Sequence, residues 1–397
     1  MGTVTLNIKL SDRVQRIKPS PTLSVTARAN ALKAAGKDVI GLGAGEPDFD
    51  TPAHIKQAAS RAMDAGMTKY TAVDGTAELK QAVINKFKNE NGFEYGPSQI
   101  LVSCGGKQSF YNLCQALLNE GDEVVIPAPY WVSYPDMVLL ADATPVFIET
   151  DIDQQFKITP AQLKAVLSPK TRLMVINSPS NPSGMAYTRA ELAALGAVLR
   201  DYPDVVIATD DMYEHILWAD EPFSNILNAC PDLYDRTMVL NGVSKAYSMT
   251  GWRIGYAAGP ETLIKAMKKI QSQSTSNPAS ISQAAAQAAL EGDQKCIADM
   301  LQAFKTRHDR VIQGLNAIEG IRCLPSQGTF YAFPDVHGLI ARLEGINNDV
   351  ELAEYILEHA GVALVPGSAF GSPGYMRLSY ATSMENLEEA LHRLGQL

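Results

Sequence analysis

The chain has 397 residues, 46% hydrophobic and 19% charged, enough for more than one folded core and without the signature of disorder. A formal charge of −9 with no basic stripe excludes a nucleic-acid backbone as an expected partner. Cys104, Cys114, Cys230, Cys296 and Cys323 are odd in number and never spaced C-x-x-C, which argues against a disulfide framework or a metal site and for a reducing cytoplasm.

The N-terminal stretch MGTVTLNIKLSDRVQRIKPS has no apolar core of a secretion signal, and its Met-Gly start lacks the Ser or Thr at position 6 of a myristoylation site. No apolar run approaches a membrane span. The first forty-odd residues are expected to pack with a smaller C-terminal unit. From about 100 to 260, short Val- and Ile-rich runs alternate with helical patterns. The runs are ILVSC (100–104), EVVIP (123–127), TPVFIE (144–149), RLMVIN (172–177), DVVIAT (204–209), TMVLN (237–241) and GYAAG (255–259). Nearly continuous apolar character predicts strands covered on both faces of a mainly parallel sheet. Helices are predicted over 107–120 and 189–201, which makes this an α/β, doubly wound domain. After about 290 the texture becomes α+β: a helix over 294–318, strand-like TFYAFPDV (329–336), a helix over 349–360, then VALVPG, YMRLSYA and a final helix. The expected division is 1–47, 48–290 and 291–397.

Two glycine-rich stretches invite over-reading. GLGAGE (41–46) puts Glu46 where a dinucleotide fingerprint needs its third glycine, and Pro47 follows, so it reads as a turn. CGGK (104–107) lacks the other elements of a Walker loop, but it follows a strand and opens a helix, where backbone N–H groups can hold a phosphate or simply form a turn. In an open α/β sheet, ligands bind at the carboxyl ends of the strands. Those ends carry Gly105, Gly106 and Lys107, then Tyr130 and Trp131, then Asn181, then Asp210 and Tyr213, then Lys245. Each alone has a plainer reading: Trp131 as core, Asn181–Pro182 as a turn, Asp210 as a helix cap, Lys245 as surface. Five strand ends presenting such residues together point to a site.

NGVSKAYSMTGWRIG (241–255) sets that lysine among small residues, with Arg253 eight positions on. SKAYSMTGWRIG, SPSNPSG (178–184), ATDDMY (208–213) and MRLSYA (376–381) together resemble the class I/II, fold-type I pyridoxal-phosphate aminotransferases. GAGEPDFDTP, TKYT and PYWVSYPDM are similar to the bacterial aspartate and aspartate/prephenate subgroup, and the resemblance spans essentially the whole chain.

The resemblance implies a cytoplasmic homodimer with shared active sites, acting on amino acids and 2-oxo acids. Lys245 would carry the cofactor and move the substrate proton, its amine pKa lowered by burial and neighbouring cations. Asp210 would hold the ring nitrogen protonated, Tyr213 and Asn181 would bond the ring oxygen, and Trp131 would cover the ring. Arg253 with Gly105, Gly106 and Lys107 would take the phosphate, joined by Tyr70 of the second subunit. Arg377 would clamp the substrate α-carboxylate beside Gly45, Trp131 and Asn181. One departure stands out: many relatives have serine where this chain has Gly242, with Ser244 or Ser248 as possible substitutes. Lys107 and Lys18 are the cations available for a distal carboxylate. The implied reaction is L-aspartate with 2-oxoglutarate; prephenate, aromatic or alanine transamination are the near alternatives, and a lyase on the same scaffold a further one. A sensor domain of a transcription regulator would need a DNA-binding module, of which the sequence has no sign.

Overall fold

The computed structural model describes residues 8–397; the Met-Gly start and position 6 lie outside them. After a two-residue strand β1 (Ile40–Gly41) come β2 (Ile100–Ser103), β3 (Glu123–Pro127), β4 (Thr144–Ile148), β5 (Thr171–Asn177), β6 (Val206–Asp210), β7 (Thr237–Gly242) and β8 (Gly255–Ala258). The last seven form one sheet in the order β2-β8-β7-β6-β5-β3-β4. The pairings β7–β6, β6–β5, β5–β3 and β3–β4 are parallel, and β8 runs against both of its neighbours. These are the seven apolar runs of the sequence.

Alternation along each strand explains why the runs are apolar throughout. Met174, Ile207 and Val239 fill the core on one face, while Leu173, Ala208 and Leu240 fill the core on the other. Only the edge departs from this: Phe147 on β4 is exposed, its ring stacked on Tyr130 at 5.0 Å, because the covering layers thin out at the last strand. The helix Arg189–Leu199 starts where it does because Thr188 Oγ accepts from Glu191 N at 3.2 Å and Glu191 accepts from Thr188 N at 2.7 Å.

The C-terminal third contains β9 (Tyr331–Ala332), β10 (Val362–Ala363), β11 (Val365–Pro366) and β12 (Met376–Ser379), with β11-β12-β9 forming an antiparallel sheet. The strand expected over 329–336 is shorter because Pro334 has no N–H to give a ladder. Helices Lys295–Asn316, Asp349–His359 and Met384–Leu394 cover this sheet, and Phe304, Leu352 and Leu391 share one cluster with Ile40 and Leu42. β1 pairs in parallel with β10. The N-terminal stretch also reaches the other way: Arg13 and Arg16 meet Asp142 beside the large sheet at 2.9 and 2.6 Å. Among the described residues no helix is long and apolar enough to cross a membrane.

Candidate active site

Because β2 runs parallel to β7 across β8, the carboxyl ends of β2, β3, β5, β6 and β7 share one rim. A cavity of about 410 Å³ opens there. Gly45, Gly106, Lys107, Trp131, Asn181, Asp210, Tyr213, Lys245, Arg253 and Arg377 all line it. Of the residues expected from sequence, Gly105 stands just behind Gly106. Tyr70 is not at this cavity and lies on the surface of its own chain, 93% exposed.

Lys245 follows β7 in a tight turn. Its Nζ donates to the Gly45 carbonyl at 2.5 Å and sits 5.9 Å from the ring centres of Tyr213 and Phe330. Burial, then the neighbouring Arg377, brings the amine pKa down to about 8, as the sequence led one to expect.

The end of β2 forms an anion-receiving corner. The helix Gly106–Leu117 begins there, so its first N–H groups lack intrahelical partners. Gly105 has φ +86°, and a Cβ on it would lie 2.5 Å from Arg253 Nη2; glycine is what lets the guanidinium approach. Arg253 Nη1 donates to Thr250 O at 2.9 Å, and the residue holds a left-handed φ of +57°. The absence of a side chain at Gly242 has a packing cause. A Cβ there would meet Gly255 Cα and Ile254 O, each at 3.0 Å, across the β7–β8 pairing. Ser244 lines the cavity. Ser248 does not: its hydroxyl turns to Met300 Sδ at 3.6 Å, which removes it as a substitute. Lys107 lines the cavity with Nζ 5.1 Å from the Trp131 ring centre, whereas Lys18 is exposed and only its backbone N–H reaches Asp136, at 3.3 Å.

Arg377 lies on β12, 2% exposed, with Tyr331 and Phe370 ring centres 4.5 and 4.9 Å from Cζ. Nη1 donates to Asn181 Oδ1 at 2.9 Å and Nη2 to Gly43 O at 2.7 Å, while Nε has no partner among the described residues. A buried guanidinium faced by carbonyls and aromatics but, among the described residues, by no carboxylate is short of an anion. Gly45 lies close under this corner, where a Cβ would be 3.1 Å from the Tyr331 hydroxyl.

Asp210 ends β6, its carboxylate taking Tyr134 OH at 2.5 Å and Met212 N at 3.3 Å. Burial pushes this carboxyl above its usual range, opposed by the Tyr134 hydrogen bond, the Met212 N–H and Lys245. Asn177, paired with Asp210 in the β5–β6 register, donates to the Asp210 carbonyl at 3.0 Å and accepts from Asn181 N at 2.8 Å. Tyr213 and Tyr331 share a hydroxyl–hydroxyl bond of 3.0 Å. Sequence reasoning missed Tyr134, Asn177 and Tyr331. Asn177 was accessible as the polar residue closing an apolar run; the tyrosines blended into aromatic strands and helix starts.

Residues 37–394 match the family model of aminotransferase class I and II. The aspartate/prephenate aminotransferase of Nitrosomonas europaea is 63% identical over 395 residues, covering 98% of this chain and 100% of that protein. The crystal structure of the aspartate aminotransferase from Rhizobium meliloti aligns with a TM-score of 0.94 and 49% identity over 98% of each chain. The solved aspartate aminotransferase of Thermus thermophilus with maleate gives 0.92 and 42%, covering 98% of this chain and 99% of that one. The chain belongs to the class I and II aminotransferases. It is a pyridoxal-phosphate enzyme of amino-group transfer. The residues present fit that cofactor: an amine of lowered pKa, a buried carboxylate, an aromatic wall, and a helix N-terminus with an arginine packed against glycine for the phosphate.

Proposed function

We propose that this aminotransferase exchanges the amino group of L-aspartate for that of L-glutamate through 2-oxoglutarate and oxaloacetate, in two half-reactions. Besides Lys245 and Arg253, which serve the cofactor, two further cations line the cavity, and they carry the reading: Arg377 with its unpartnered Nε and Lys107 over Trp131. A substrate with two carboxylates answers both. Relatives named for aspartate, one of them solved with the dicarboxylate maleate, support it.

Pyridoxal phosphate, when bound, supplies an electron sink joined to the substrate nitrogen. Lys245 would hold it covalently, and its Nζ, once freed, would be the base that moves the substrate's Cα proton. A pKa of about 8 leaves part of this amine neutral at neutral pH. Asp210 would face the ring nitrogen and keep it protonated, while Tyr213 and Asn181 would donate to the ring oxygen. Trp131 would cover the ring face. Arg253, the amides at Gly105–Lys107 and Ser244 would receive the phosphate. Arg377 grips the α-carboxylate with its fork while Gly45 leaves room for it. The Lys107 ammonium takes the distal carboxylate.

The assembly in this reading is a cytoplasmic homodimer, with Tyr70 reaching the phosphate of the second subunit. Its 93% exposure and five free cysteines are the supports. The chain divides into 1–47, 48–290 and 291–397, with the N-terminal part tied to the small unit by β1–β10. Prephenate as amino acceptor is the second reading, on the name of the 63% identical relative. Half-reactions with single amino acids, followed by the loss of lysine-bound cofactor absorption, test both. Aspartate and glutamate are expected to react fastest, and alanine outrunning both would reject the dicarboxylate reading. Amination of prephenate by the aminated enzyme checks the second.

A further inference from the structure

Tyr134 opens the helix Tyr134–Leu140 and is 1% exposed. Its ring packs against Phe110 at 4.8 Å and in a T-shaped contact with Trp131 at 5.2 Å. A phenylalanine would serve that packing equally well. The hydroxyl makes one hydrogen bond among the described residues, to Asp210 Oδ2 at 2.5 Å. The other carboxylate oxygen accepts from Met212 N at 3.3 Å, and Asn177 fixes the Asp210 backbone. The remaining ionisable groups acting on this carboxylate are Lys245, Tyr213 and, through Tyr134, Asp211.

We propose that Tyr134 is a positioning residue whose hydroxyl holds Asp210 as an anion aimed into the cavity and thereby sets how firmly the cofactor's ring nitrogen keeps its proton. This rests on the reading that Asp210 faces that nitrogen. A carboxylate taken out of water becomes a stronger base, and each donor that it gains weakens it again. Without the phenol, a buried N–H⁺ and carboxylate lower their energy by passing the proton to oxygen, which leaves a neutral ring nitrogen and a poorer electron sink. The phenol cannot itself surrender its proton, because burial and then Asp210 push its pKa far above the ordinary value.

The test is the ¹⁵N resonance of ring-labelled pyridoxal phosphate bound to the full-length protein. Wild type is expected at the protonated position, Asp210→Asn at the neutral one and Tyr134→Phe displaced toward neutral. Cofactor affinity in Tyr134→Phe should fall roughly tenfold, the worth of a hydrogen bond to a charged group. Replacing Tyr134 by 3-fluorotyrosine, a more acidic donor of nearly the same shape, should move the resonance the opposite way. Phe110→Leu loosens the same wall without touching the bond and should leave the resonance in place. An unmoved resonance in both Tyr134 variants, or an equal shift in Phe110→Leu, overturns the proposal. An Asp210→Asn resonance identical to wild type instead removes the Asp210 assignment on which it stands.

Discussion

Arg377 brings a full positive charge into a place where no carboxylate of the described residues answers it, and that imbalance is the most informative property of any single residue here. Lysine at this position would keep the charge but lose the fork. Arg377→Lys should lower kcat/KM for amino acids roughly ten- to a hundredfold, mainly through KM, as steady-state kinetics would show. Lys245 gives a pH prediction. Its amine, lowered to about 8, binds fewer protons folded than unfolded between that value and the ordinary lysine range near 10.4. Stability of the cofactor-free protein should therefore rise with pH across that window, and Lys245→Ala should flatten the rise in urea titrations. The rate of cofactor attachment should climb through pH 8 as the amine loses its proton. Lys245 and Asp210 were legible in the sequence because charged residues stand out at the ends of apolar runs, whereas Arg377 was reached only through the motif MRLSYA that carries it. Tyr134 and Tyr331 were not, because an aromatic residue that packs and also donates a hydrogen bond looks like one that only packs.

At the level of elements, the phosphate corner depends on β2, β7 and β8 meeting without side chains between them. A Cβ on Gly255 would sit 2.3 Å from Gly106 N and 2.4 Å from the Gly105 carbonyl carbon. Gly255→Ala should destabilise the protein by about 1–3 kcal/mol in denaturant titrations, the usual cost of overpacking, and weaken cofactor retention as the helix start is pushed away. The strands themselves were easily read, since two apolar faces leave continuous runs. What the sequence could not show was the strand order, which places Gly255 of β8 against both the β2 loop and Gly242. The missing serine looked like a lost ligand; it is a contact surface.

At the scale of the molecule, a residue at the site and a residue on the surface can be asked whether they serve each other across two copies. In a hybrid of Lys245→Ala and Tyr70→Ala subunits, one site would regain both native residues if the chain pairs as proposed and Tyr70 crosses over. Mixed subunits refolded together should then show activity well above either parent. If Tyr70 served its own chain, no site would be whole and the mixture would stay at the parental level. Motif order revealed the class of chemistry, but no pattern within one chain encodes what a second copy would supply.

The stretch from Gly43 to Gly45 lends one carbonyl to Arg377, at 2.7 Å, and another to Lys245, at 2.5 Å. Peptide oxygens are thus resident partners of both cations, and a newcomer competes with them for the donors that remain. An amide, ester or alcohol offers these cations little more than a backbone carbonyl already does, while a carboxylate brings full charge. Uncharged look-alikes of the substrate should therefore bind more weakly than carboxylates, as competition assays would show. The two carbonyls, Gly43 O and Gly45 O, stand two residues apart on one stretch of backbone.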